Sequence, residues 1–193
     1  MLLNFQEEVR KFYKHYYEEN DDAHTIVHAD NVCNLALNLN NNIDIKLIIL
    51  ASYIHDIFNE NRKIHHELAY KYVLSTQDKF LKKLSSKELK LVAHAVLEHR
   101  ASFKGEFYSI LSEIISSADR GIPSLKNITI RSMQFNKAKA DKASKHIIEK
   151  YGVNGYAKYP EIYKHYFKDE LTKFQQLANN ITPIQVLDFW NSR

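Results

Sequence analysis

The stretch LIILASYIHDIFNEN, residues 47–61, begins as an unbroken apolar run and then sets His55 and Asp56 side by side. An imidazole and a carboxylate are the side chains that bind a transition metal or carry a proton near neutral pH. Three more ionisable residues fall on apolar faces. His28 stands one turn before Val32 on the stripe Val32, Leu35, Leu39; His99 follows Val92 by seven and Val96 by three; Asp119 follows Leu111 by eight and Ile115 by four. At helical period, each spacing turns the polar residue toward the interior. An ionised Asp119 placed there without a partner would cost several kcal/mol. A divalent ion removes that cost, because its charge offsets the desolvation of the carboxylates. Imidazole and carboxylate together suit manganese, iron, cobalt, nickel or zinc better than calcium, with magnesium a further candidate. Taken singly, an inward His or Asp is more often a hydrogen-bonded core residue than a ligand; the set on four helices favours a metal. His94 lies off its stripe and reads as a flanking residue.

These residues need helices to hold them. The chain has only 4 Gly and 3 Pro in 193 residues, and long stretches pass without either, which predicts an all-α fold. Helical periodicity spans 2–19, 24–40, 45–58, 64–75, 86–100, 107–120, 126–150, 158–180 and a short segment from 183. Polar or breaker clusters separate them, among them NNN at 40–42, GIP at 121–123 and YGVNGY at 151–156. Residues 1–150 read as a helical bundle carrying the site. Residues 151–193 read as C-terminal helices packed on it within one domain, with Tyr159, Ile162, Tyr163, Tyr166, Phe167 and Phe174 as the packing stripe.

Composition narrows the class. Hydrophobic residues make up 45% and charged residues 26%, as a folded globular chain requires. One cysteine, Cys33, allows no intramolecular disulfide, and no window reaches the roughly 18 consecutive apolar residues of a membrane span. The N-terminus MLLNFQEEVRKF carries charge too early for a secretory segment, so a cytoplasmic location without membrane partners is expected. Positive charge is concentrated at 126–150, where seven Lys/Arg against two Asp/Glu give a local excess of +5, more than the +4 of the whole chain. Such a segment can be a solvated face, a phosphate funnel or a nucleic-acid patch, the last not favoured.

The set His28, His55 with Asp56, and Asp119 resembles the ligand pattern of the HD-domain superfamily of metal-dependent phosphohydrolases, in order, gaps and helical setting. The similarity runs from residue 20 to about 135. AHTIVHADNV, AVLEHR and SADRG followed by Arg131 resemble segments of small bacterial nucleotide-hydrolysing members. The resemblance implies a single HD-type helical bundle in which His28, His55, Asp56 and Asp119 bind metal. It also places Arg120 and Arg131 near the phosphates of a small phosphorylated substrate, such as a nucleotide, where guanidinium forks match phosphate oxygens. Asn31 stands where that subgroup usually has Arg, and Gly121-Ile122-Pro123 replaces its usual Leu-Asp-Ala.

A second HD branch holds two metals with an extra His, four before a Gly or Ala, and a later His. His65 with Ala69, or its neighbour His66, and then His99 fit that pattern, so one ion is expected and two are allowed. HD hydrolases also place a carboxylate shortly after the His-Asp pair to orient or deprotonate water, a role this resemblance gives to Glu60 alongside Asp56. The functions implied are phosphomonoester or pyrophosphate hydrolysis. The alternatives are a dimetal oxygenase-like enzyme and a non-catalytic nucleotide or nucleic-acid sensor.

Overall fold

The computed structural model describes residues 2–21, 23–40, 42–75 and 78–193. The fold is all-α, and the described residues contain no strand. Helices run in the order α1 (Leu2–Tyr13), α2 (Ile26–Asn38), α3 (Ile45–Ile54), α4 (His65–Ser75), α5 (Ser86–Glu98), α6 (Ile110–Arg120), α7 (Leu125–Phe135), α8 (Ala140–Tyr151), α9 (Glu161–Tyr166), α10 (Lys168–Asn179) and α11 (Pro183–Asn191). None among the described residues is long and apolar enough to cross a membrane.

Helix α3 is the centre. Every residue from 47 to 57 is buried, so α3 is apolar all round, as a helix enclosed on all sides must be. It packs against α1, α2, α5 and α6. Two further contacts decide the site: α2 packs on α6 and α4 on α5. The first brings His28 to Asp119, the second brings His65 to His99, and the C-terminal end of α3 lies between the pairs.

Starts and stops are chemically marked. Asp44 accepts from the Lys46 N–H at the start of α3, Ser85 and Glu88 form a reciprocal capping box on α5, and the Ser109 and Ser124 hydroxyls cap α6 and α7. Helix α6 ends at Gly121 with φ 71, a conformation that glycine adopts without a Cβ penalty. The chain therefore turns sharply one residue after Arg120.

The expected helix at 126–150 is two helices. After Phe135 the backbone passes through Lys137 and Ala138, both left-handed at φ 51 and 59, and α8 folds back on α7. The expected helix at 158–180 is likewise divided at Phe167, giving α9 and α10. Within that segment Tyr163, Phe167 and Phe174 are buried and Tyr159 and Ile162 half-buried, whereas Tyr166 is exposed. The sequence division at residue 150 puts α8 with the bundle; its packing partners are α7, α10 and α11.

Candidate metal centre

The chain leaves α3 earlier than its apolar run suggests. The helix ends at Ile54, His55 caps it, and residues 55–58 form a turn that tightens into a short 3₁₀ segment at Asn59–Asn61. Successive residues of a regular helix point about 100° apart. The tightened turn instead lets both His55 and Asp56 face one point, at 0% and 3% exposure. Asn20 holds the turn by donating from Nδ2 to the Asp56 carbonyl at 3.2 Å and to the His24 carbonyl at 3.0 Å.

Around Asp56 the ligand atoms fall into two sets. On one side, Asp56 Oδ2 lies 3.2 Å from His55 Nε2 and 3.7 Å from His28 Nε2, and His28 Nε2 lies 3.0 Å from Asp119 Oδ1. On the other, Asp56 Oδ1 lies 3.4 Å from His65 Nε2 and 3.5 Å from His99 Nε2. Each set, His28-His55-Asp56-Asp119 and Asp56-His65-His99, is compact enough to surround one ion, and Asp56 belongs to both.

The donor chemistry fits a cation. His55, His65 and His99 turn their Nδ1 atoms to the carbonyls of Ser52, Arg62 and Val96, three residues back, at 2.8, 3.0 and 2.7 Å. A carbonyl only accepts, so each Nδ1 carries the proton and, in the neutral ring, each Nε2 carries a bare lone pair. His28 Nε2 and His55 Nε2 stand 3.4 Å apart, with His28 Nε2 also facing Asp119 Oδ1 at 3.0 Å, and the bare Nε2 atoms of His65 and His99 stand 3.2 Å apart. Lone pairs directed at one another at such distances repel unless a positive charge lies between them. Atoms about 2.1 Å from a common ion are separated by about 3.0 Å at a right angle and about 3.4 Å at the tetrahedral angle, the spacing seen here. Carbonyl partners on the second ring nitrogen are also the usual support of metal-binding histidines.

The electrostatics agree. Burial raises both carboxylates, yet neighbouring imidazoles, led by His55 for Asp56 and His28 for Asp119, hold them well below the usual carboxylate range. Burial, then Arg131, pushes His28 down to about 4, and burial, then His99, pushes His65 down to about 3. His55 is the exception: burial opposes its charge, but Asp56 and Asp119 hold it up at about 9. The two carboxylates thus favour positive charge where the Nε2 atoms meet.

Two clefts reach the centre. One, of about 500 Å³, has Asp56, His65, His99 and Asp119 at its base and Arg62, Arg100, Arg131, His146 and Lys150 in its walls. The other, of about 520 Å³, lies between α2 and α6–α7; its lining includes His28, Asp119 and Arg131 together with Asn31, Asn34, Asn38 and Asn127. Asp119 borders both, and its side chain is 19% exposed against 4% for Asp56.

Two expected site residues, Glu60 and His66, lie outside the ligand sets and both clefts, and a third, Arg120, borders both clefts while bonding to backbone. Arg120 is buried: Nε donates to the Lys158 carbonyl, and Nη1 to the Ser116 carbonyl and hydroxyl and the His99 carbonyl. It braces the end of α5 against α6 and the 158 segment with Nε and Nη1, while Nη2 has no partner among the described residues and the side chain borders both clefts. Glu60 is exposed and accepts from Asn61 Nδ2, because the 3₁₀ turn directs Asn59 inward and Glu60 outward. It belongs to neither ligand set and lines neither cleft. His66 is half-buried and outside both sets, since His65 takes the inward face of α4 with Ala69 and Val73. Arg131 does reach the centre, donating from Nη1 to the Asp119 carbonyl at 3.2 Å and lining both clefts.

The sequence reading overlooked His24, Arg62, Arg100, His146 and Lys150 in the cleft wall. Weak signals exist for some: His24 precedes His28 by one turn, and Arg100 follows His99 directly. His94, by contrast, pairs with Glu98 at 3.1 Å and stacks on Tyr108 at 3.9 Å, away from the ligand sets. The chain matches no protein-family model, and comparison with curated proteins and with solved structures finds no match either.

Proposed function

We propose that the chain is a metal-dependent phosphohydrolase of the HD type, acting on a small phosphorylated substrate through a centre that holds two divalent transition-metal ions. The observation that carries this reading is the division of the Asp56 carboxylate between two ligand sets beneath a cation-walled cleft. Divalent ions there supply Lewis acidity toward a phosphoryl oxygen and lower the pKa of water.

The chain's own residues do the rest. Asp56 and Asp119 remain ionised in a buried site because imidazoles surround them. The carbonyls of Ser52, Arg62 and Val96 fix the tautomer and rotation of His55, His65 and His99, so no reorganisation is needed when ligands bind. Arg131, anchored by one N–H to the Asp119 carbonyl, keeps further donors for a phosphate oxygen beside the exposed edge of Asp119.

The doubled ligand set also suits the oxygenase-like reading, but the arginines and lysine of the wall favour an anionic substrate. Elemental analysis, with hydrolysis of a phosphate-ester panel by the metal-loaded protein, tests the proposal. Two ions per chain, turnover of at least one ester, and loss of both in Asp56→Ala are expected. Metal-loaded wild type without turnover across the panel would overturn it, and metal-free protein that still binds nucleotide would favour the sensor.

A further inference from the structure

The wall of the cation-lined cleft holds more positive charge than one phosphate uses. Arg62 comes from the turn before α4, Arg100 from the end of α5, Arg131 from α7 and Lys150 from α8, so four separate elements converge on one space. Among the described residues none of the four has a carboxylate within ion-pairing distance. Their partners are neutral. Arg62 Nη1 donates to Asn59 Oδ1 at 2.6 Å and faces His24 Nε2 at 3.0 Å, with its guanidinium 5.2 Å from the centre of the Phe135 ring. Arg100 Nη1 donates to the Lys63 carbonyl, Arg131 Nη1 to the Asp119 carbonyl, and Lys150 Nζ stands 4.9 Å from the Tyr151 ring.

Arg62 is also held in place. His24 Nδ1 meets Asp21 Oδ1 at 2.6 Å, so a chain of hydrogen bonds runs from Asp21 through His24 to Arg62. A guanidinium fixed by neutral acceptors and an aromatic face, rather than by a carboxylate, keeps its full charge for a ligand. Of the four, Arg131 is the one bonded to the Asp119 carbonyl, beside the carboxylate at which the phosphohydrolase reading seats the reacting phosphoryl group. Among the described residues, Arg62, Arg100 and Lys150 lie in the same wall without a carboxylate within ion-pairing distance.

We infer that the substrate carries at least two linked phosphates, and that Arg62, Arg100 and Lys150 select for the phosphates beyond the reacting one. This rests on the phosphohydrolase reading. A phosphomonoester brings about −1.5 to −2 of charge at neutral pH, which Arg131 and the metal ions already meet; a longer phosphate chain brings roughly one more negative charge per phosphate. The reaction is then hydrolysis of an anhydride. The water oxygen bonds to phosphorus, the bridging P–O bond breaks with its electron pair on the departing phosphate, and the water's protons pass to the products and solvent.

The test compares adenosine mono-, di- and triphosphate and a short oligonucleotide as substrates of the metal-loaded protein, with Arg62→Ala, Arg100→Ala and, as a control outside the cleft, Lys82→Ala. The di- or triphosphate should exceed the monophosphate at least tenfold in kcat/KM, and each arginine variant should shrink that ratio by about tenfold. Lys82→Ala should not change it. Preference for the monophosphate or the oligonucleotide, or arginine variants that leave the ratio intact, would overturn the inference. Equilibrium binding of tripolyphosphate against inorganic phosphate, at buffered free metal, separates this from failure of the phosphohydrolase reading. Tripolyphosphate bound more tightly, through Arg62 and Arg100, sustains the site even if nothing is hydrolysed, and equal binding refutes it.

Discussion

His65 and His99 set their Nε2 atoms 3.2 Å apart while each commits Nδ1 to a backbone carbonyl. Two neutral rings cannot hydrogen-bond in that arrangement. The geometry therefore separates the two halves of the centre, because these rings share only Asp56 with the other set. In elemental analysis His65→Ala and His99→Ala should each fall from two ions per chain to one, whereas Asp56→Ala should lose both. A His65 variant that keeps two ions would remove the second ligand set from consideration.

Metal removal should cost stability as well as activity. An ion that binds only the folded chain contributes RT ln(1 + [M]/Kd), about 2.7 kcal/mol at a hundredfold excess over Kd. For a chain of this size each kcal/mol moves Tm by about 2–4 °C. A chelator should therefore lower the calorimetric Tm by roughly 5–10 °C per ion lost, and re-addition of the metal should restore it. An unchanged Tm on stripping would mean that the cluster is held by protons and hydrogen bonds alone.

Much of the centre was legible in the sequence because helical period reports which face a residue occupies. His28, His99 and Asp119 follow their apolar stripes, and the structure brings them within reach of Asp56. What periodicity cannot report is where a helix stops without a glycine or proline. The apolar run into Phe58 hid the end of α3 at Ile54, and with it the turn that points Glu60 to solvent. The break at Lys137 and Ala138 was hidden in the same way, and it is what returns His146 and Lys150 to the cleft wall. Arg120 shows a third limit: an arginine beside a ligand reads the same whether its guanidinium meets phosphate or backbone carbonyls.

That ambiguity is open to measurement. Arg120 donates to the carbonyls of His99, Ser116 and Lys158, so Arg120→Met strands buried acceptors and should destabilise the fold by about 1–3 kcal/mol in urea unfolding. Arg131 makes one bond to the Asp119 carbonyl and lines both clefts, so Arg131→Ala should act mainly on substrate affinity. A rise of about tenfold in KM with little loss of stability is the expected result. If Arg120→Met raises KM at unchanged stability instead, its guanidinium serves the phosphate after all.

His146 gives the cleft a pH dependence that can be read without substrate. Burial, then Lys150 and Arg62, pushes its imidazole down to about 4, whereas the unfolded chain takes up that proton near 6.5. Between those values the unfolded state binds the extra proton, so the stability His146 contributes above pH 6.5 is lost progressively as the pH falls to 4. Urea unfolding of wild type and His146→Gln across that window measures the difference in proton uptake. The variant should take up fewer protons on unfolding, by at most one, and its stability should fall less steeply with acid. Identical slopes would place the acid sensitivity elsewhere, and tripolyphosphate bound beside His146 should flatten the wild-type slope by favouring the charged ring in the folded state.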